Sequence, residues 1–431
     1  MNKENSRRLF LKRSVLISPA LLALAAQSGL ADPIPLRVLW WGGQERAKRT
    51  NQAIRLFEKL HPGLKATTES NAWADYWPKL ATLVAGGNAP DMIQMDYRYL
   101  VEYSRRGGLL ALDSFIPRTL EIQDFGKNNL DSCRVDGKLY GVNMGLNSTA
   151  TIYDTAAFAK AGIPEPKYSW TWDDYRRISG EIAKAHGQGF WGCADSGGVE
   201  GAFEVFVRQQ GKELYTFGGK IGVNADITAA WFDYWHKLRK AGACVPSDLQ
   251  ALDKQSVDTS MMMLGKAAID LRFSNFFEGM QLAHKHKLAI TMYPHTNKHS
   301  GQYIKPSLMM SIAATTKNAR LAAQLTNFLV KDPTATQILA VERGVPASPS
   351  VRQLVRTDLN DVGKAMVDYI NLISDKVSPL PPPPPPGSGE IQKLLRRLNE
   401  KVGFGSITPM EAAKEYVNEG KRIADENSKK A

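Results

Sequence analysis

Polar and aromatic side chains that follow predicted strands are the residues of this sequence best suited to hold a small ligand. Trp41 ends a short apolar run at Gly42-Gly43. A second run is followed by groups of the same two kinds: Glu69, Asn71 and Trp73. In α/β proteins ligands bind beyond the ends of strands, so these positions predict a binding cleft. A flat aromatic face beside planar hydrogen-bonding groups suits a polyhydroxylated ring, with core packing of Trp41 as the alternative.

Catalytic motifs of common hydrolases do not occur in the sequence. It contains neither a Gly-x-Ser-x-Gly elbow nor a His-Glu-x-x-His pair. Carboxylates are plentiful, and two of them are enough for glycoside hydrolysis. A secreted carbohydrate-active enzyme is therefore one alternative function.

Histidines are concentrated in one short stretch of the sequence. His284-Lys285-His286 and the pair His295 and His299 fall close together. A spacing of four residues suits zinc only on a helix, whereas Pro294 and Ser300-Gly301 favour a loop. Neighbouring lysines would also repel a cation. We therefore expect no metal and no cofactor, and a metal-binding periplasmic protein is the second alternative.

Predicted strands alternate with amphipathic helices in the first part of the sequence. Strands are expected at 35–41, 64–69 and 92–95, with helix stops at His61-Pro62-Gly63 and Gly86-Gly87. This alternation predicts an α/β layer with a mostly parallel sheet.

The later sequence predicts further strands and a long helical end. Strands are expected at 139–144 and 150–153, on either side of Gly145-Leu146-Asn147-Ser148, and at 267–271, 288–291 and 308–314. Helices are expected from Trp172, with Thr171 as N-cap, and near 201–210 and 225–241. Pro381–Pro386 predicts polyproline II, a stiff surface connector before a helix near Glu390.

The N-terminus resembles a twin-arginine export signal. Ser6-Arg7-Arg8-Leu9-Phe10-Leu11-Lys12 precedes an apolar run, Val15–Ala26, and the small-residue site Gly29-Leu30-Ala31. This apolar run is too short for a membrane-spanning helix, which needs about 20 residues. We expect residues 1–31 to be a removed signal peptide and the mature chain to fold before export to the periplasm.

Length and charge set further bounds. A chain of 431 residues is long enough for two lobes. The net charge of +12 comes without basic blocks interleaved with aromatics, so we expect no nucleic-acid partner. Cys133, Cys193 and Cys244 show no CxxC spacing, which leaves open either one disulfide with a free thiol or three buried thiols.

Seven motifs follow one another in an order typical of one family. They are Leu39-Trp40-Trp41-Gly42-Gly43, Phe57–Pro62, Leu83–Asp91, Gly107–Leu112, Asp136–Val142, Ser169–Asp174 and Leu264–Ala268. In this order the sequence resembles the family 1 extracellular solute-binding proteins of ABC sugar importers, the maltose- and oligosaccharide-binding type. The double tryptophan with Arg46 resembles the oligogalacturonide-binding branch.

This resemblance implies a two-lobed α/β periplasmic binding protein fold, in which each lobe has a mostly parallel sheet and the ligand cleft lies at the hinge. It implies a monomer that binds a saccharide, delivers it to a membrane permease and catalyses no reaction. Hinge crossings are implied near Met144–Ser148, Thr291–His295 and Leu339–Val345. The expected lobes are residues 32–145 with 293–340, and 146–292 with 341–431.

The resemblance also implies ligand contacts at the cleft edges. Besides Trp41, the polar and aromatic candidates are Gln44, Glu69, Trp73, Asp96, Tyr97, Asn143, Asn147, Asp195, Ser196, Ser274 and Asn275. Asp96 has an alternative role as N-cap of the next helix. Relatives often place a stacking aromatic at the position that Asn275 occupies here.

Four cations are also expected near the cleft: Arg46, Arg272, Lys305 and Arg343. A guanidinium group can pair with a carboxylate through two hydrogen bonds. An acidic saccharide is therefore one hypothesis for the ligand. The alternative is that these residues are surface cations of a basic protein.

Overall fold

The computed structural model describes residues 33–71, 73–296 and 299–428. The predicted signal peptide lies outside these described residues and stays a prediction. No helix within them combines the length and the apolar character that crossing a membrane requires.

The first lobe begins with alternating strands and helices, as predicted. The elements are β1 (Ile34–Trp41), α1 (Gln44–Leu60), β2 (Leu64–Asn71), α2 (Trp73–Ala85), β3 (Met92–Met95) and α3 (Tyr97–Arg105). β1 pairs in parallel with both β2 and β3. β3 is buried along its whole length, because helices cover both faces of such a sheet.

A second group of elements carries the chain towards the other lobe. After 3-10 turns at Asp113–Phe115 and Gln123–Phe125 come α4 (Lys127–Asp131), β4 (Arg134–Val135), β5 (Lys138–Leu139) and β6 (Val142–Asp154). β6 is one uninterrupted buried strand, so the prediction of two strands around residues 145–148 is wrong. Gly145 serves close packing instead, because a Cβ atom there would collide with the carbonyl oxygen of Arg343.

The second lobe follows from β6. Its elements are α5 (Thr155–Ala161), α6 (Trp172–His186), β7 (Trp191–Cys193), α7 (Glu200–Gln209), α8 (Ala225–Lys240), α9 (Ser247–Gln250), β8 (Ala267–Phe273), α10 (Phe276–Ala283) and β9 (Leu288–Thr291). The predicted N-cap of α6 is confirmed, because Thr171 and Asp174 form a reciprocal capping box. Trp172, Trp231 and Trp235 lie in the hydrophobic core of this lobe.

The final elements return to the first lobe and then cover the second. They are β10 (Ile304–Ile312), α11 (Ala319–Lys331), α12 (Pro333–Leu339), α13 (Pro349–Arg356), α14 (Asp361–Ile373), α15 (Ser388–Gly403) and α16 (Pro409–Ser428). α15 and α16 pack on α8. Residues 379–386, which we call the proline strap, lie between α14 and α15 without helix or strand structure.

The sheet runs through both lobes in the order β2-β1-β3-β10-β6-β8-β7, with β9 also paired to β6. Its pairing is mixed rather than mostly parallel, since β10 and β6 are antiparallel to their neighbours. The reason is that β6 and β10 pass directly from lobe to lobe, without the crossover helix that parallel neighbours need.

Three segments connect the lobes. β6 and β10 pair with each other from Val142 to Ser148 on β6. In the third segment, Val345 exchanges two backbone hydrogen bonds with Leu146. Residues near 293–295 still contact the second lobe, because the amide of His295 donates to the carbonyl of Trp170. The proposed lobe boundaries stay a prediction.

Candidate functional site

Charges from both lobes act on Lys305, a half-buried residue of β10. The Lys305 ammonium lies 4.1 Å from the centre of the Phe273 ring at the end of β8. Burial lowers the pKa of Lys305, and the nearby charges of Asp96, Glu204, Arg98 and Glu200 act on it as well. We call these six residues the cleft cluster: Asp96, Arg98, Glu200, Glu204, Phe273 and Lys305.

Helix α7 supplies the carboxylates of the second lobe. Glu200, Glu204 and Arg208 are four residues apart and therefore share one helix face. The Tyr215 hydroxyl donates to Glu200, and the Tyr303 hydroxyl donates to Glu204. Burial raises the pKa of Glu204 to about 7. This face can accept hydrogen bonds and take up a proton near neutral pH.

Residues of the first lobe lie near α7. Asp96 and Arg98 follow β3 directly, where that strand ends. Burial raises the pKa of Tyr97, and the charge of Glu204 raises it further. The Tyr97 hydroxyl donates to the carbonyl of Pro381 at 3.0 Å, while Arg208 donates to the carbonyl of Pro379. The proline strap therefore touches both lobes beside the cleft cluster.

Several buried polar atoms at this place have no partner among the described residues. They include Asn147 Oδ1 and Arg208 Nη1. Asn147 is the direct strand partner of Lys305. Within residues 33–71, 73–296 and 299–428, no carboxylate forms a salt bridge with Lys305. Buried groups of this kind need hydrogen bonds, which a polar ligand can provide.

Four predicted site residues lie at or beside the cleft cluster: Asp96, Tyr97, Asn147 and Lys305. The alternative role of Asp96 is confirmed, because its carboxylate accepts a hydrogen bond from the amide of Arg98 at 2.9 Å and caps α3. Its charge still acts on Lys305, so both roles are compatible.

Trp41 lies in the core of the first lobe. Its side chain is only 9% exposed, and its ring centre lies 5.1 Å from Tyr76 and 5.5 Å from Trp77. The alternative of core packing therefore describes this residue. A ligand contact of Trp41 stays a prediction.

Three of the four predicted cations are bonded to protein groups. Arg46 forms a salt bridge with Glu342 at 2.8 Å. Arg343 donates to Gln94 at 2.6 Å, and burial lowers the pKa of this guanidinium to about 9. Neither is the exposed surface cation of the alternative interpretation.

Arg272 is a buried residue of β8 and is not exposed at the cleft edge. It pairs with Asp253 at 2.5 Å and with Asp270 at 2.9 Å, and all three side chains are buried. Its guanidinium is thus already neutralised by two carboxylates, which weakens the expectation that it binds an acidic saccharide.

Other predicted site residues are buried with protein partners. Asn143 bonds to Asn129 and to the amide of Gly145. Asp195 pairs with Arg239 and accepts from Asn399. Ser274 accepts from the amide of Ser148, whereas the hydroxyl of Ser196 is buried without a partner among the described residues.

Three of the four remaining predicted residues, Gln44, Glu69 and Asn275, lie at exposed positions. Gln44 begins α1, and Asn275 precedes α10. Glu69 is exposed and pairs with Lys79. The backbone of Trp73 begins α2, but its side chain lies outside the described part of the structure. Ligand contacts of these residues stay predictions.

The sequence analysis missed the face of α7 and the ring of Phe273. A signal was present, since charged residues recur every four positions in the otherwise apolar helix EGAFEVFVRQ. Charges on the apolar face of a helix indicate a buried polar site.

A surface cavity lies away from the cleft cluster. It has a volume of about 410 Å³ and is lined by residues of α1 and α11 and of the segment before α4, among them His61, Arg118 and Lys331. None of the cleft cluster residues lines it, so we do not assign the candidate site there.

Known proteins share this fold and part of this sequence. Residues 52–363 match the family model described as bacterial extracellular solute-binding protein. A family 1 extracellular solute-binding protein from Alicyclobacillus acidocaldarius is 32% identical, with a TM-score of 0.81 over 91% of this chain and 98% of that chain. A periplasmic oligogalacturonide-binding protein from Yersinia enterocolitica is 22% identical, with a TM-score of 0.77 over 91% of this chain and 100% of that chain. The predicted two-lobed α/β fold class is thereby confirmed.

Curated sequence relatives match over shorter stretches. A lactose-binding protein from Rhizobium radiobacter is 27% identical over 232 residues, which are 51% of this chain and 52% of that protein. In another relative, a Streptomyces antibioticus lipoprotein, the alignment spans 41% of the relative's length.

Proposed function

The chain belongs to the bacterial extracellular solute-binding proteins, and we propose that it binds a mono- or oligosaccharide between its two lobes. The observation that carries this proposal is the cleft cluster, where Lys305 has no salt bridge among the described residues and Asn147 Oδ1 and Arg208 Nη1 lie nearby, buried and without hydrogen-bond partners there. Similarity to a lactose-binding protein and to an arabinooligosaccharide-binding protein supports a saccharide as the ligand.

A sugar hydroxyl group suits the mixture of groups in the cleft. Each hydroxyl both donates and accepts, so one ring can accept from Lys305 and donate to Asn147 Oδ1. The carboxylates Glu200 and Glu204 accept from further hydroxyls. Phe273 offers an apolar ring face for the sugar to pack against.

The charges favour a neutral saccharide over an acidic one. Three carboxylates, Asp96, Glu200 and Glu204, lie near Lys305 together with one further cation, Arg98, so the carboxylates outnumber the cations and disfavour a uronate. An acidic saccharide requires its carboxylate to lie against Lys305 while avoiding all three. We therefore propose a neutral sugar, and the acidic sugar is the competing outcome.

A bound sugar would favour closure of the lobes. Asp96 lies on the first lobe and Glu204 on the second, so a ligand that contacts both is held best when the lobes are close. We propose that the closed protein delivers the sugar to an ABC permease without chemical conversion. Twin-arginine export, a periplasmic location and a monomeric state complete the proposal.

Binding and turnover can be tested on the same protein. The mature chain is titrated calorimetrically with neutral mono- and oligosaccharides and with uronates, and the sugars are then analysed for hydrolysis. We expect one neutral sugar to bind intact. A uronate that binds more tightly than its neutral analogue would contradict the charge argument, and hydrolysis would favour the carbohydrate-active enzyme.

One variant tests the location of the site. Lys305→Met should weaken binding by about 1–3 kcal/mol, because ligand oxygens lose a half-buried charged donor. The matched control is Lys317→Met, which changes an exposed lysine beyond the end of β10. Equal affinity in both variants would place the ligand elsewhere.

A further inference from the structure

Three potential metal ligands lie together at the far end of β6. Asp154 ends this strand, His284 follows α10, and His286 precedes β9. Asp154 Oδ2 lies 3.2 Å from His284 Nε2 and 2.9 Å from His286 Nδ1. The ligand atoms of all three side chains lie within 4.8 Å of one another.

The side chains of Gln281 and Thr155 form the hydrogen bonds that hold the backbone around the two histidines. The imidazoles take no part in these bonds. Gln281 donates to the carbonyl of His286 at 2.9 Å and accepts from the amide of Leu288 at 2.8 Å. The Thr155 hydroxyl donates to the carbonyl of Lys287 at 2.8 Å. The histidine segment is therefore fixed on both sides before any ion binds.

The carboxylate is oriented in a similar way. Asp154 Oδ1 accepts from the amide of Ala156 at 2.9 Å and caps α5. This bond leaves Oδ2 directed at the two imidazoles. The side-chain exposure rises from 9% for Asp154 and 13% for His284 to 41% for His286. The group thus has a closed base and an open side through which an ion can enter.

We propose that Asp154, His284 and His286 bind a divalent transition metal, with Zn²⁺ as the reference ion. Imidazole nitrogens and a carboxylate oxygen are normal zinc ligands. With bonds of about 2.0–2.1 Å, ligand atoms of a tetrahedral centre lie roughly 3.3 Å apart. The two distances from Asp154 Oδ2 are close to this value, and the two imidazole nitrogens lie within 4.8 Å of each other. Three protein ligands leave the fourth position for water.

This proposal revises the expectation of no metal. The sequence analysis weighed His284-Lys285-His286 together with His295 and His299, without a carboxylate ligand, and took the loop residues and neighbouring lysines as evidence against a bound cation. In the structure Lys285 and Lys287 are exposed, and the carboxylate comes from a strand that ends 130 positions earlier than His284. The site does not depend on saccharide binding.

Zinc binding by the untagged mature protein tests the proposal. Competition with a chromophoric chelator should give one Zn²⁺ per chain. Asp154→Asn, His284→Gln and His286→Gln should each weaken Zn²⁺ binding by at least about tenfold. Asparagine is also a good N-cap, so the first variant removes the charge and keeps the start of α5. His295→Gln is the control and should leave the affinity unchanged.

Spectra distinguish a metal centre from a set of hydrogen bonds. Co²⁺ should produce visible absorption bands of a low-coordinate site in the parent and lose them in His284→Gln/His286→Gln. Absent Zn²⁺ binding by the parent, or equal binding by this double variant, would overturn the proposal. Circular dichroism checks folding, and His286→Gln, at the most exposed of the three positions, decides if a more buried variant does not fold.

Discussion

The two faces of β8 differ in whether a nearby cation is paired with carboxylates. Arg272 points to one face, where Asp253 and Asp270 neutralise it. The next residue, Phe273, points to the other face and lies against Lys305, which has no salt bridge among the described residues. The charge of Arg272 is neutralised by carboxylates of the protein. In our proposal, Lys305 instead donates hydrogen bonds to a bound ligand. The proposed binding site therefore lies at the cation that the protein leaves without a counterion among the described residues.

The largest effect should come from breaking the neutralised face. Arg272→Met leaves Asp253 and Asp270 buried without their cation, so the free energy of unfolding should fall by about 3–5 kcal/mol. Urea unfolding of the ligand-free protein measures this loss. Lys305→Met is the matched comparison and should leave stability unchanged or slightly higher, because it removes an unpaired charge. Equal losses in both variants would remove the distinction between the two faces.

A smaller effect is expected from the pH dependence of the cleft face. The pKa of Glu204 is about 7 in the folded protein, above its ordinary value of 4.5. Between these two pH values the folded protein keeps a proton that the unfolded chain has lost. Stability should therefore fall as the pH rises through this window, by up to about 3 kcal/mol.

Glu204→Gln isolates that contribution. The fall in stability between pH 4.5 and 7 should become shallower in this variant, as measured by urea unfolding at several pH values. Asp270, whose pKa burial raises to about 6, gives a slope of the same sign that persists in the variant. Glu181→Gln, on the exposed side of α6, is the control. An unchanged slope in Glu204→Gln would show that this carboxyl group titrates normally.

The smallest effect concerns the proline strap. Tyr97→Phe removes the hydrogen bond to the carbonyl of Pro381, which should lower the free energy of unfolding by about 0.5–1.5 kcal/mol. The exposed Tyr168→Phe is the control. If Tyr97→Phe lowered the free energy of unfolding as much as Arg272→Met does, the residues at the cleft would contribute as much to stability as the buried salt bridges.

Much of the fold could be predicted because it depends on local pattern. The alternation of apolar runs and amphipathic helices predicted β1 to α3 in order, and the capping residues predicted the start of α6. The continuity of β6 could not be predicted in this way. Gly145 reads locally as a turn, whereas its role depends on Arg343, which lies far along the chain.

The site was predictable only in part, for the same reason. Asp96 and Lys305 could be predicted as site residues from the positions of strand ends and from the family resemblance. The partners that decide the role of each cation come from distant segments, as Asp253 does for Arg272 and Glu342 does for Arg46. Whether a charge is satisfied is a property of tertiary contacts, which spacing along a sequence does not contain.

The continuous strands between the lobes determine how the lobes can move. β6 and β10 remain hydrogen-bonded to each other where they pass between the lobes, and β10 shifts register on both sides of Leu308. Pro306 has no amide hydrogen to give to this ladder, and such irregularities increase local twist. The lobe closure that we propose would therefore twist this two-stranded ribbon. The resistance of the ribbon to twisting would depend on the pairing of β6 with β10 around Gly145.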